Sequence, residues 1–240
     1  MAKVSIEAIE TARSALLAKD AFFELEKVTT PRGTFNAYKH APKSLIELLS
    51  AGRGHGDATL IVYEDERWTF NEFYQKVDSL RSWLVNQKKI KNGDRVAIAM
   101  RNYPEWLVAF TASVFSGAIT VPLNSWGKAD ELLHGITDCE PVVLFCDQQR
   151  YELIASNAQS LSTDLVVARS DSDDMSTAIR LDSLLLETEG FPPIAEVETD
   201  STALVLYTSG STGYPKGVIL THRTMGQCLM NMYYVGALCS

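Results

Sequence analysis

Hydrophobic positions in residues 59–93 change from a strand-like to a helix-like spacing. Residues 59–69 form two β-rich runs around an acidic turn, which predicts a hairpin. Thr69 and Glu72 have the spacing of a capping box, so a helix is expected to start there. Apolar residues then follow at intervals of four, three and four and predict its buried side: Phe73, Val77, Leu80 and Leu84. The pair Asn92-Gly93 is predicted to end this helix.

Short apolar runs alternate with helical stretches along the rest of the chain. Strands are predicted at residues 95–100, 118–122, 142–146, 165–168, 203–207 and 218–221. Helices are predicted at 104–116, 128–139, in a short piece near 181–186, and at 223–238, and a further helix is expected to be capped by Asp147. Unalternating apolar strands separated by helices are typical of a parallel sheet covered on both faces. The predicted fold class is therefore α/β, with mostly parallel sheets flanked by helices.

Other segments have less regular patterns. Residues 1–44 are mixed in character and are interpreted as an N-terminal leader or edge segment, which separates them from a domain at 45–240. The acidic, serine-containing run 170–176 is predicted to be a solvated loop, and 191–193 a turn or linker. On the last helix, a set of large side chains is expected to be buried in the core, with the wall of an acyl pocket as the alternative: Met225, Leu229, Met232, Tyr233 and Tyr234.

Charge and cysteine content exclude several classes of protein. The 240 residues contain 22 Lys+Arg and 30 Asp+Glu, for a net charge of -8. This acidic balance argues against a general nucleic-acid binder, whose affinity depends on basic patches. The four cysteines, at 139, 146, 228 and 239, form no CxxC pair and have no histidine at metal-ligand spacing. They are expected to be reduced, mostly buried thiols of a cytoplasmic protein, and no metal site is predicted.

One uncharged stretch has the length of a membrane span. No charged residue lies between Glu105 and Lys128, but the stretch contains several polar residues, Gly117 and Pro122. It is therefore interpreted as a buried helix, a glycine turn and a buried strand. Charges within the first twenty residues leave no apolar core for an export signal. We expect a cytoplasmic protein without a transmembrane segment.

The ten residues 208–217 carry the clearest chemical signal. They follow a predicted strand and contain three glycines, four hydroxyl side chains, Pro215 and Lys216. Ligands of open α/β sheets bind at the carboxyl ends of strands, glycines let successive backbone N–H groups converge, and the lysine adds a positive charge. This combination suits a polyphosphate. The spacing fits neither the P-loop nor the dinucleotide-binding pattern. The alternative is a serine-rich surface turn.

The run Thr208-Ser209-Gly210-Ser211-Thr212-Gly213-Tyr214-Pro215-Lys216-Gly217 resembles the signature of the adenylate-forming (AMP-binding) enzymes. These include acyl-CoA synthetases, luciferase and the adenylation domains of peptide synthetases. Segments at 66–70, 93–98, 102–106, 117–124 and 220–223 also resemble the family, in the family's order. The resemblance covers about residues 44–240, and its character is closest to bacterial acyl-CoA synthetases.

The resemblance implies a two-step reaction. A carboxylic acid, such as a fatty acid, attacks the α-phosphate of Mg²⁺-bound ATP and forms an acyl adenylate and pyrophosphate; a thiol, usually that of coenzyme A, then accepts the acyl group. The residues implied to hold the β- and γ-phosphates are Thr208, Ser209, Gly210, Ser211, Thr212, Gly213 and Lys216. None of these is a nucleophile, since no base is placed beside the hydroxyls. His222 is interpreted as a capping or packing residue.

Several of the family's motifs are absent from these 240 residues. They contain no Tyr-Gly-x-Thr-Glu segment, which serves adenine and magnesium in the family, no ribose-binding aspartate segment, and no small C-terminal domain with its catalytic lysine. No catalytic residue or metal ligand is therefore expected within this chain, which is interpreted as an incomplete N-terminal adenylation domain, inactive alone. Two alternatives remain: a non-catalytic nucleotide- or acyl-binding module, and one half of a split enzyme.

Overall fold

The computed structural model describes residues 5–30, 33–171, 177–186, 190–208 and 215–239, with the backbone alone at residue 239. The chain divides into two compact units. The smaller consists of Met1–Leu48, Glu198–Ser201 and Thr221–Ser240, and the larger of Leu49–Val197 and Thr202–Leu220. The boundary at 44/45 stays a prediction.

Helices and strands are numbered in chain order within the described residues. The α-helices are α1 Ile6–Leu16, α2 Leu45–Ser50, α3 Phe70–Asn86, α4 Pro104–Phe115, α5 Ala129–Cys139, α6 Gln148–Ile154 and α7 His222–Cys239. The strands are β1 Leu25–Thr30, β2 Gly33–Tyr38, β3 Thr59–Tyr63, β4 Glu66–Thr69, β5 Arg95–Ala99, β6 Ile119–Pro122, β7 Val143–Asp147, β8 Asp164–Ala168, β9 Ile179–Arg180, β10 Thr202–Thr208 and β11 Lys216–Thr221. Short 3-10 helices lie at Ala51–His55, Ala155–Ser160 and Asp182–Leu184.

The main sheet has the strand order β11-β10-β6-β5-β7-β8-β9. The pairs from β10 through β9 in this order are parallel, and β5 lies between β6 and β7, with Val96 opposite Thr120 and Val143. Every residue of β7 is buried, as are Val96–Ala99 of β5. The α/β class and the mostly parallel sheet are therefore confirmed. The continuous burial explains why these strands show no polar alternation in the sequence.

The hairpin and helix predicted from residues 59–84 are confirmed. β3 and β4 pair in antiparallel fashion, and the Thr69–Glu72 capping box starts α3. The predicted buried side of α3 is at most 5% exposed at each position: Phe73, Val77, Leu80 and Leu84. The predicted helix end at Asn92-Gly93 is wrong, because α3 ends at Asn86. Lys89 adopts a left-handed conformation (φ 56°) there, and the Ile90 N–H donates to the Leu84 carbonyl at 3.0 Å.

The uncharged stretch 105–128 forms helix α4, a turn at Gly117 and strand β6, as predicted. Gly117 has φ +80°, and a Cβ there would lie 2.0 Å from Asn92 Oδ1. The turn therefore requires glycine both for its backbone angle and for its close packing. Among the described residues no helix combines the length and the apolar character that crossing a membrane requires.

Segments outside the main sheet differ more from the predictions. Residues 1–44, for which no element was predicted, contain α1 and the antiparallel hairpin β1–β2. The predicted solvated loop begins at Ser170, which is instead buried and donates to Gln148 Oε1 at 2.6 Å; residues 172–176 lie outside the described residues. The helical piece near 181–186 is a single 3-10 turn, Asp182–Leu184.

The expected core side of α7 is partly wrong. Met232 and Tyr233 are 69% and 54% exposed, whereas the buried positions are His222, Gly226 and Met230. A Cβ at Gly226 would lie 2.1 Å from the Pro42 carbonyl oxygen, so a backbone segment occupies this side of the helix. A glycine and a histidine do not stand out in a hydrophobic pattern, and the large apolar residues indicated the wrong side.

Candidate functional site

The loop singled out in the sequence joins β10 to β11, two neighbouring strands at one end of the main sheet. Thr208 is the last residue of β10, and Lys216 is the first residue of β11 instead of part of the loop. The predicted phosphate-binding residues Ser209, Gly210, Ser211, Thr212 and Gly213 lie outside the described residues. The structure therefore places the two ends of the predicted site.

The two ends of the loop are in direct contact and open to solvent. Thr208 and Lys216 are both exposed, and Thr208 Oγ1 donates to the Lys216 carbonyl oxygen at 3.5 Å. β10 runs parallel to β6, with Leu204 opposite Thr120, so Thr208 lies at the carboxyl end of a parallel strand. Open α/β sheets bind ligands at this edge. An exposed hydroxyl and an exposed ammonium group are thus available at the expected position.

Close packing holds β11 against β10. A Cβ at Gly217 would lie only 2.8 Å from Val205 Cγ1, so a larger residue would require the Val205 side chain or the backbone to shift. The Tyr207 ring also borders this position, and its hydroxyl donates to Asp138 Oδ2 of α5. Burial of the ring raises the pKa of Tyr207, and the hydrogen bond to the Asp138 carboxylate raises this pKa further. The tyrosine is therefore a neutral hydrogen-bond donor at neutral pH.

Charged groups also gather where β5 and β7 end. The Asp147 carboxylate accepts from the Arg101 backbone N–H at 2.9 Å and from the Arg150 backbone N–H and guanidinium at 3.0 and 3.1 Å. The role predicted for Asp147, capping α6, is confirmed. The Arg101 guanidinium stacks on the exposed Trp126 ring. Sequence reasoning missed both arginines. Trp126 is distant from Arg101 along the chain, whereas the i,i+3 spacing of Asp147 and Arg150 is a local signal that could have indicated their ion pair.

A second cluster surrounds Arg169, directly after β8. Its guanidinium contacts Glu66 at 2.6 Å and Glu105 at 3.0 Å and lies near the rings of Tyr63 and Tyr103. Burial alone would lower the pKa of Arg169, but the two carboxylates raise it above its ordinary value. Arg169 is therefore a permanent cation paired with two anions. It fastens the β3–β4 hairpin and the start of α4 to the main sheet.

His222 has the packing role expected from the sequence. In the smaller unit its buried ring accepts a hydrogen bond from the Leu45 N–H at Nδ1, 3.1 Å away. Burial lowers the pKa of His222, which keeps the ring neutral. Among the described residues no group of three or more His, Cys, Asp or Glu side chains could hold a metal ion. Of the described cysteines, Cys146 is buried, Cys139 half-buried and Cys228 exposed; all three are free thiols.

Strand order and loop position define an open, mostly parallel α/β protein with a candidate ligand site at the carboxyl edge of its sheet. The model of the AMP-binding enzyme family matches residues 49–238, and the chain belongs to this family. It is 30% identical over 169 residues to malpinin synthetase from Mortierella alpina. This alignment covers 70% of this chain and 2% of that protein. It is 31% identical over 163 residues to 2-succinylbenzoate–CoA ligase from Bacillus velezensis, covering 66% of this chain and 29% of that protein.

Solved structures show the same fold. The crystal structure of the anthranilate CoA ligase AuaEII in complex with anthranoyl-AMP aligns with 75% of this chain and 35% of that chain, with a TM-score of 0.69 and 22% identity. The chain thus spans about a third of that enzyme's length and less than a third of the bacterial relative. Activity, substrates and partners of a whole enzyme are therefore proposals for this chain.

Proposed function

We propose that this chain is the N-terminal part of an ATP-dependent carboxylic acid–CoA ligase. The complete enzyme forms an acyl adenylate and pyrophosphate from a fatty or related acid and Mg²⁺-bound ATP, then transfers the acyl group to coenzyme A. Membership of the AMP-binding family carries the proposal, together with the match of its signature to residues 208–217. The proposal also includes a cytoplasmic location for the enzyme, as expected from the sequence.

In this proposal the β10–β11 loop binds the phosphates that leave as pyrophosphate. Thr208 supplies a hydroxyl donor and Lys216 a positive charge, and Ser209 to Gly213 supply further hydroxyl and backbone N–H donors. Negative charge builds on the leaving pyrophosphate during adenylation, so fixed donors and one cation stabilise that transition state. The exposure of Thr208 and Lys216 at the carboxyl edge supports this role. The residues position and stabilise the phosphates and form no covalent bond.

A carrier-bound thiol is a second candidate acceptor. A relative from Streptomyces coelicolor, 30% identical over 171 residues, is named L-proline–[L-prolyl-carrier protein] ligase. The non-catalytic binding module and the split enzyme also remain as alternatives. Carboxylate-dependent ATP–pyrophosphate exchange, measured on the full-length protein and on residues 1–240, separates the binding module and the split enzyme from the complete ligase. It reports adenylation alone and is independent of the acceptor. We expect exchange with the full-length protein only. Exchange restored by a second polypeptide would favour a split enzyme, and its absence from the full-length protein would overturn the proposal.

Lys216 gives a sharper test of the phosphate role. We expect Lys216→Ala in the full-length protein to lower the rate of adenylation by about 100-fold, because one charged donor to the leaving group is removed. Thioester formation from preformed acyl adenylate should change little, since pyrophosphate has already left. Rapid-quench measurements of each half-reaction check this, with Lys91→Ala, at an exposed lysine before β5, as the control. Equal loss in both half-reactions would contradict the assignment.

A further inference from the structure

The Tyr207 side chain lies between helix α5 and both ends of the β10–β11 loop. It precedes Thr208 directly, and its Cζ atom would be 3.7 Å from a Cβ at Gly217, one residue after Lys216. Tyr207 and Pro215 line one narrow cleft together with Glu131 and Gly135 of α5 and with residues of the segment after β6. One ring therefore borders the strand that enters the loop and the strand that leaves it.

Helix α5 is anchored independently of the loop. Arg95, at the start of β5, donates from Nε to the Cys139 carbonyl and from Nη2 to the Glu140 carbonyl, each at 2.8 Å. These bonds satisfy carbonyls at the end of α5 that have no partner within the helix. Leu132 and Ile136 of α5 are buried in the core. The helix is thus a fixed support beside β10.

Asp138 stands in the last turn of α5, where the helix dipole disfavours a negative charge. No basic residue lies in that turn to offset the charge. The carboxylate accepts the Tyr207 hydroxyl hydrogen bond instead, and bonds to an ionised acceptor are stronger than neutral ones. Helix stability does not account for an aspartate at this position, whereas its contact with the loop strand does.

We propose that Tyr207 and Asp138 are positioning residues for the phosphate loop. Their hydrogen bond ties the carboxyl end of β10 to α5, and the Tyr207 ring borders the start of β11, where its Cζ atom would lie 3.7 Å from a Cβ added at Gly217. Together they set the separation and orientation of Thr208 and Lys216. Donors that stabilise a transition state must be held close to their productive geometry, so a loosened support weakens their contribution. This inference rests on the proposed function of the loop.

The test uses Tyr207→Phe and Asp138→Ala in the full-length protein. Tyr207→Phe keeps the ring and removes only the hydroxyl, and we expect kcat/KM for ATP in adenylation to fall about fivefold to tenfold. Thioester formation from preformed adenylate should not change. Asp138→Asn, whose side-chain oxygen still accepts the bond, should restore most of the activity lost in Asp138→Ala. The double variant, Tyr207→Phe with Asp138→Ala, should lose no more kcat/KM than either single variant, because both substitutions remove the same hydrogen bond.

Tyr151→Phe is the matched control. It removes a tyrosine hydroxyl that bonds to Thr177 Oγ1 at 2.7 Å, away from the loop, and kcat/KM for ATP should stay unchanged. Additive losses in the double variant, or an unchanged kcat/KM in Tyr207→Phe, would overturn the inference. Calorimetric titration with MgATP separates this inference from the proposed function. If the wild type binds MgATP without exchange activity, the proposed function fails, and weaker binding by Tyr207→Phe still supports the positioning role. Without MgATP binding, both fail.

Discussion

A buried histidine makes the smaller unit sensitive to acid. His222 Nδ1 accepts from the Leu45 N–H, and the backbone N–H of His222 donates to the Ser201 carbonyl at 3.1 Å. Burial lowers its pKa below the ordinary value of 6.5. The unfolded chain therefore takes up a proton at a higher pH than the folded chain does. The contribution of the neutral His222 ring to the free energy of unfolding is therefore fully present above pH 6.5. It is lost as the pH falls towards the lowered pKa of His222 in the folded state.

We expect His222→Gln to weaken this dependence, because a glutamine oxygen can accept the Leu45 bond without titrating. Denaturant unfolding between pH 7 and pH 5 measures the free energy of unfolding for both proteins. His55→Gln, at an exposed position, leaves His222 in place and should keep the wild-type dependence of the free energy of unfolding on pH. If the free energy of unfolding depended on pH equally in wild type and His222→Gln, the His222 ring would not be the titrating group.

The connection between α4 and β6 depends on one glycine. Gly117 has φ +80°, and its missing Cβ leaves room for Asn92, whose Nδ2 donates to the Glu196 carbonyl at 2.8 Å. The neighbouring Ala195 N–H donates to the Phe115 carbonyl at 2.9 Å. Residues 195–196 are thereby tied to this turn before the chain continues towards β10. The turn thus joins α4 to β6 and also holds the segment that leads towards β10, the strand before the predicted phosphate loop.

Gly117→Ala should lower the free energy of unfolding by about 1–3 kcal/mol, because it adds backbone strain and a contact with Asn92. Gly93→Ala is the matched control, since Gly93 also has positive φ (+93°) but nothing within 4 Å of an added Cβ. It should cost less than Gly117→Ala. Equal losses of the free energy of unfolding in Gly117→Ala and Gly93→Ala, measured by chemical denaturation, would mean that close packing at residue 117 contributes nothing.

The ends and buried sides of the helices show which features local sequence patterns can predict. The capping box and the four apolar positions of α3 predicted its start and its buried side, because both signals lie within one helix. The end of α3 was predicted wrongly, since Lys89 takes the left-handed conformation that glycine or asparagine usually signals. The buried side of α7 was partly wrong because Gly226 faces the Pro42 backbone. Contacts with segments far along the chain decided both the burial of α7 and the partners of Arg101 and Arg169.

Strand position within the sheet should determine local stability in the larger unit. β5 and β7 lie inside the sheet and are almost entirely buried, whereas β9 and β11 stand at its two ends. Native-state hydrogen exchange of the full-length protein should therefore be slowest at the amides of Ala97–Ala99 and Leu144–Cys146. Amides of β9 should exchange sooner through local opening. Comparable protection of β5 and β9 would contradict this ranking.

The sequence by itself determined the α/β class, the family, the location of its signature loop and, apart from β9 and the 3-10 turn at Asp182–Leu184, the order of strands and helices from residue 59 onward. These depend on short-range hydrophobic spacing, capping residues and a ten-residue motif, all readable from neighbouring positions. Only the tertiary structure decided that β10 lies beside β6, that Tyr207 bonds to Asp138, and that Arg169 bridges Glu66 and Glu105. Such pairs are separated by some 60 to 100 residues. Packing of the whole chain, and not local preference, brings them together.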